Sequence, residues 1–175
     1  MGVAGSGKSV QGRRLADELG LPWLSTGEFL RMLISGERRK AMVEGELLDD
    51  HEIIELVQKI LTMINAKEEF ILDGFPRTPE QADWLLSQVK HKQLHVSAII
   101  HIKASQEVVA ERLLSRARPD DTREAINKRF EEYEKAIRPI IEDMRAAHIP
   151  VFDIDGEQSI EQAHDDILGA IKSVL

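Results

Sequence analysis

Residues 2–9 read GVAGSGKS and satisfy the pattern GxxxxGK[ST] at every fixed position. No other stretch limits the fold as tightly, because each fixed residue has a physical task. Glycines permit positive φ and close approach of the backbone, so successive N–H groups can turn inward around phosphate oxygens. A helix starting near Ser9 aims its positive dipole end at the same place. Lys8 should then reach the β and γ phosphates of a nucleoside triphosphate, and the Ser9 hydroxyl should ligate Mg2+. A loop of this kind follows an apolar strand, yet only Met1 stands before Gly2. Either the sheet lacks its first strand, or the sequence starts inside a longer chain, or another segment fills that place.

Downstream, short apolar segments alternate with longer ones of helical period, the signature of an α/β fold with a parallel sheet under helices. Residues 22–24, 70–72, 96–102 and 151–154 are apolar enough to be core strands. Helices are expected over 9–19, ending at Gly20, and over 29–34, opened by Ser25 with Glu28 in capping-box spacing and closed by Gly36. Another begins near Asp50, with Ile53, Ile54, Val57, Ile60, Leu61 and Ile64 on one face. Thr78 before Pro79 reads as a cap and first helical residue. A long run from Thr122 carries Ile126, Phe130, Tyr133, Ile137, Ile140, Ile141 and Met144, and Pro139 is expected to kink or break it. Ser159 caps a last helix.

The chain has 175 residues, enough for one core. Its 23 Lys and Arg against 31 Asp and Glu give a net charge of −8, which argues against broad nucleic-acid or anionic-lipid binding. An anionic ligand must then meet a local cluster of positive groups. The absence of Cys removes disulfides, thiol catalysis and thiolate zinc sites, and no apolar run is long enough to span a bilayer. A cytoplasmic monomer is expected. None of the six His has a metal-ligand spacing, and His101, within a strand, reads as a core residue.

A second phosphate site is written into residues 70–77, FILDGFPR. A buried strand there ends in Asp73, at the sheet end where ligands of open α/β folds collect. Asp73 can hold a magnesium-bound water, and the planar fork of Arg77 can clamp a phosphate.

Together with the loop, residues 25–31 (STGEFLR), 73–77, Gln81 and 112–133 make the chain resemble the adenylate kinases of the nucleoside monophosphate kinase family, in order and over nearly its whole length. The resemblance implies a three-layer α/β/α fold with strand order 2-3-1-4-5, its first strand missing or truncated here. It implies one domain over 1–175, with a helical monophosphate-binding insertion at about 25–65 and a vestigial lid at about 113–122. On the donor side it assigns ATP to Gly5, Ser6, Gly7, Lys8, Ser9, Val10, Arg112 and Arg116. On the acceptor side it assigns AMP to Thr26, Arg31, Gly74, Arg77, Gln81, Arg118 and Arg129. Lys8, Arg77, Arg116, Arg118 and Arg129 would be catalytic, and Ser9 and Asp73 would hold Mg2+, the latter through water. ATP, AMP and ADP are the expected partners.

Blander readings stand beside these roles. Gln81 also completes a capping box with Thr78, and the arginines could form a solvated ion-paired face with Asp120, Asp121, Glu124 and Glu131. The loop reads Ser9-Val10 after the lysine where the family commonly has Gly-Thr, and it also resembles gluconate kinases. Only Ala117 separates Arg116 from Arg118, so the lid is a stump. A pyrimidine monophosphate or gluconate kinase, or a non-catalytic ATP-binding regulatory module, remain the alternatives.

Overall fold

The computed structural model describes residues 1–33, 35–36, 49–64, 69–118 and 121–174. The four apolar segments form strands β1 (Trp23–Ser25), β2 (Ile71–Asp73), β3 (Ile99–Lys103) and β4 (Val151–Asp155). Seven described helices connect and cover them: α1 (Lys8–Leu19), α2 (Thr26–Leu33), α3 (Asp50–Met63), α4 (Pro79–Lys90), α5 (Gln106–Arg116), α6 (Arg123–Ala146) and α7 (Ile160–Lys172). The expected end of α2 at Ile34, much of the insertion at about 25–65, and Pro119 and Asp120 of the lid lie outside the described residues.

Pairing is parallel, as the alternation of short and long segments requires. Ser25 stands opposite Asp73 at the end of β1 and β2, and Lys103 opposite Asp155 at the end of β3 and β4. Leu15 of α1 and Ala163 and Ile167 of α7 cover one face against Ile102 and Ile154. On the other face Ile53 and Val57 of α3, Ala82 and Leu85 of α4, and Ile140 and Met144 of α6 pack with Ile99. These are the three expected layers.

The sheet is in two halves, β1 with β2 and β3 with β4. Met1 occupies one rung of the place between them. Its amino group donates to the Ile100 carbonyl, and its own carbonyl accepts from Ile102 N–H at 2.9 Å, the two bonds of a parallel ladder. Among the described residues no further strand pairs with β2 or β3. A cavity of about 700 Å3 runs along the gap, lined by Leu72, Phe75, Ile100 and Ile167 among others.

Two expectations need correction and one element was missed. The strand expected over 96–102 begins only at Ile99, where its N–H first finds a partner, the Pro150 carbonyl at 2.8 Å. Pro139 does not end α6, which continues from Arg123 to Ala146. The carbonyl that a proline leaves without its helical donor is that of Lys135, an exposed residue water can serve, and buried Ile137, Ile140 and Ile141 hold the helix on either side. Finally α5 was not foreseen, although Ser105 precedes it and Val109 and Leu113 form its buried stripe. His101 is a satisfied core residue, its ring nitrogens meeting Asp153 Oδ1 at 2.7 Å and the Tyr133 hydroxyl.

Candidate active site

The glycine-rich loop borders the same crevice as Asp73 and Gly156, beyond the carboxyl ends of β2 and β4, and feeds α1, whose first residue is Lys8. Gly5 adopts φ 87° and lies close against α5: a Cβ there would lie 2.9 Å from Leu113 Cγ and 3.2 Å from the Val109 carbonyl. Ser6 is fully buried. Lys8 Nζ rests 3.3 Å from the Val3 carbonyl. Burial, and next the neighbouring Arg77, bring the Lys8 ammonium down to about 8 against the opposing pull of Asp73.

Ser9 and Asp73 meet directly, the hydroxyl donating to Asp73 Oδ2 at 2.7 Å. Strand β2 ends at Asp73 and α1 begins beside it, so parallel packing brings together residues separated by 64 positions. A hydroxyl and a carboxylate are hard oxygen donors that suit Mg2+, which binds through one or two protein groups with phosphate and water completing the shell. Among the described residues no cluster of three acidic or histidine side chains offers an all-protein cage.

Beyond Asp73 the chain turns sharply. Gly74 has φ 85°, and a Cβ would fall 2.7 Å from Thr26 Oγ1 and 2.9 Å from an Arg77 guanidinium nitrogen. Only glycine lets Thr26 and Arg77 close over this point. The Thr26 hydroxyl donates to the carbonyls of Asp73 and Gly74 at 3.3 and 3.0 Å. That leaves it as an acceptor toward any ligand. Arg77 Nε donates to the Gly74 carbonyl at 2.8 Å, and its guanidinium and that of Arg31 both lie about 3.6 Å from where a Gly27 Cβ would be. Two forks thus converge on one small patch.

Gln81 is buried and its amide is engaged: Nε2 donates to Asp50 Oδ1 at 2.7 Å, and Oε1 accepts the Arg77 N–H at 2.9 Å. Half of the capping box forms as well, with Thr78 Oγ1 accepting the Gln81 N–H at 3.3 Å, while the Gln81 side chain serves the Arg77 N–H and not that of Thr78.

Two carboxylates organise the remaining arginines. Asp121 has no exposed side-chain surface; it takes a two-pronged bond from Arg116 Nε and NH2 at 2.8 and 2.7 Å, with Arg129 3.9 Å away. Burial, the largest single influence, pushes its carboxyl up, but the Arg116 fork together with the Arg118 N–H and the Arg129 charge outweighs this and holds it below the usual carboxylate range. Glu28 bonds Arg31 at 2.7 Å, and that bond chiefly holds its carboxyl low. Arg118 and Arg13 reach the same Glu28 oxygen at 3.8 and 3.9 Å. Arg112 donates instead to the Gly156 carbonyl at 2.7 Å.

Every residue assigned from the sequence borders a single crevice of about 660 Å3: Gly5 to Val10, Thr26, Arg31, Asp73, Gly74, Arg77, Gln81, Arg112, Arg116, Arg118 and Arg129. Arg13, Glu28, Gly156 and Gln158 line it too and were not foreseen. Gly156 was findable, because it follows β4 at the ligand end of the sheet. The alternative of a solvated ion-paired face does not hold for Asp121, since its carboxylate is buried.

The family model described as adenylate kinase matches residues 1–149. The adenylate kinase of Corynebacterium urealyticum is 35% identical over 98% of this chain and 96% of its own length. Adenylate kinase 1 of Nostoc sp. is 34% identical over 99% and 97%. The adenylate kinase of Allorhizobium ampelinum is 30% identical over 95% and 94%. The crevice and the relatives agree over almost all of the sequence, and the chain belongs to the adenylate kinase family.

Proposed function

We propose that this chain moves the γ-phosphoryl group of Mg-ATP to AMP, giving two ADP, and does so reversibly. The single observation that carries the reading is the meeting of the loop lysine, the Ser9–Asp73 pair and five arginines (31, 77, 116, 118 and 129) on one crevice of about 660 Å3 in a chain of net charge −8. In this reading α2 and α3 belong to the acceptor insertion, and residues 113–122 to a short lid. The net charge and the absence of Cys fit a cytoplasmic monomer, and among the described residues no helix is long and apolar enough to cross a membrane.

An AMP phosphate oxygen is already an anion near neutral pH, so the reaction calls for no general base. The work falls to positioning and charge. Loop amides and Lys8 hold the donor phosphates, while Arg112 lies beside the donor end at Gly156. Arg31 and Arg77 grip the acceptor phosphate over Gly27. Arg116, Arg118 and Arg129 face the transferring group from the lid side and meet its equatorial oxygens as charge spreads onto them. Ser9, and Asp73 through water, would hold Mg2+, which would supply charge neutralisation to the donor phosphates. Thr26 and Gln81 meet the adenine of AMP. The short lid excludes water poorly, so slow ATP hydrolysis should accompany transfer.

A coupled assay with Mg-ATP and AMP tests the reading. ADP should form only with both nucleotides at appreciable rate, and Arg77→Ala should cost about a hundredfold in kcat/KM for AMP, the value of a charged hydrogen-bonded clamp. Robust transfer to gluconate with none to AMP, or saturable ATP binding without transfer to any acceptor, would overturn it.

A further inference from the structure

Gln81 is 3% exposed and its amide cannot turn freely. Asp50 Oδ1 accepts from Gln81 Nε2 at 2.7 Å and from the Thr78 hydroxyl at 2.8 Å. On the opposite side the Arg77 N–H donates to Gln81 Oε1 at 2.9 Å. A flipped amide would set its oxygen against the carboxylate and its NH2 against an N–H, replacing two attractions with two repulsions. A primary amide has two N–H donors and two acceptor lone pairs. One of each is spent, which leaves one donor and one acceptor for a ligand, in a fixed order.

We propose that Asp50, the first residue of α3, is a specificity-determining positioning residue that locks the Gln81 amide in the order complementary to a 6-aminopurine and opposed to a 6-oxopurine. The inference rests on AMP as the acceptor. A 6-aminopurine offers a ring-nitrogen acceptor beside an exocyclic N–H donor; a 6-oxopurine offers a ring N–H donor beside an exocyclic oxygen acceptor. For a base held in one orientation the two are mirror patterns, so an amide that cannot flip satisfies one and leaves the other with donor facing donor. Buried groups left unpaired in this way are what makes such a site reject an analogue. The lock joins two helices, Asp50 on α3 and Gln81 on α4, and it needs no contact between Asp50 and the nucleotide.

The experiment compares kcat/KM for AMP and for IMP, at saturating Mg-ATP, in the wild type, Asp50→Ala and Asp50→Asn. Asp50→Ala should lower the AMP-to-IMP ratio about tenfold, the value of one net hydrogen bond at each purine, with KM for ATP unchanged. Asp50→Asn keeps a side-chain oxygen for Gln81 and should retain most of the ratio. A purely structural role would depress both nucleotides together, so an unchanged ratio in Asp50→Ala overturns the proposal. If Asp50→Ala fails to fold, Asp50→Ser, well tolerated at a helix start, shortens the side chain by one bond, takes its oxygen out of reach of Gln81 Nε2 and should lower the ratio in the same way; an unchanged ratio there overturns the proposal equally. A wild type that phosphorylates neither nucleotide would instead refute the acceptor reading on which the inference stands.

Discussion

The two sides of the crevice present positive charge by different means. On the loop side it comes from backbone and from one lysine: Gly5 is wedged against Leu113, α1 starts at Lys8, and among the described residues no carboxylate pairs with the loop's amides. On the opposite side it comes from arginine side chains, steadied by two resident carboxylates, Glu28 for Arg31 and Asp121 for Arg116. A backbone cradle is rigid because the fold makes it so, whereas guanidiniums crowded together need an anion to hold them before the substrate brings its own. The two carboxylates nevertheless differ. Asp121 is buried and forked, and Glu28 is 35% exposed and shared loosely with Arg118 and Arg13.

The largest effect should come from the one charge on the loop side. In the proposed reading Lys8→Met removes a donor to the transferring phosphates, and loss of a single preorganised donor of this kind costs about a hundred- to a thousandfold in kcat. Steady-state kinetics with both nucleotides saturating measures it. A loss of tenfold or less would mean that the amides carry the loop side alone.

Next in size is Asp121→Ala. Arg116 would lose both prongs of its bond and Arg129 a nearby anion, so the arginines repel and scatter. About thirtyfold in kcat/KM is expected, within the range for charge-assisted hydrogen bonds, with kcat falling more than KM for ATP. Binding of ATP alone, followed by calorimetry, should change far less. If ATP binding falls as much as turnover, Asp121 serves the donor site rather than the transferring group.

Amides do not titrate and Lys8 does, which separates the two components of the loop side by pH. The ammonium is lowered to about 8, so ATP affinity should weaken about tenfold between pH 7 and pH 9 as the unliganded protein's Lys8 deprotonates. Stability of the unliganded protein should move the other way. The unfolded lysine still holds its proton between about 8 and 10.5, so the unfolded state binds more protons there and stability rises with pH across that window. Lys8→Met should abolish both trends. ATP titrations and thermal melts at matched ionic strength read them.

What the sequence made legible follows the same division. The loop could be read residue by residue because each position answers a backbone or charge demand that is local in the chain. Asp73 could be read because it ends an apolar strand, and Arg77 because it follows in the turn at the same end of the sheet. The carboxylates could not, since their roles depend on partners brought near by folding: Asp50 reaches Gln81 across 31 positions, and Asp121 looked like one more member of a charged run until α5 and α6 enclosed it. Glu28 was read as half of a capping box. Its N–H does approach Ser25 Oγ, at 3.4 Å, but its carboxylate turns to the arginines. Strand limits failed for a related reason, because β3 starts where Pro150 offers a partner and not where apolar residues begin.

The smallest expected effect is the one that decides whether Glu28 and Asp121 are alike. Glu28 holds an anion's place beside Arg31 and near Arg118, and an incoming acceptor phosphate must displace it or share those forks with it. At 35% exposure its attraction is screened, so release from it is worth less than about 1 kcal/mol. Glu28→Gln keeps the shape and removes the charge. Inorganic phosphate and AMP should then bind about threefold more tightly, with the melting temperature slightly reduced because the arginines repel without their counterion. Phosphate titration by calorimetry, in wild type and variant, measures the sign directly. Tighter binding makes Glu28 a stand-in for the substrate's phosphate, competing with it. Weaker binding makes it an organiser in the manner of Asp121, and the exposed and the buried carboxylate would then differ only in strength.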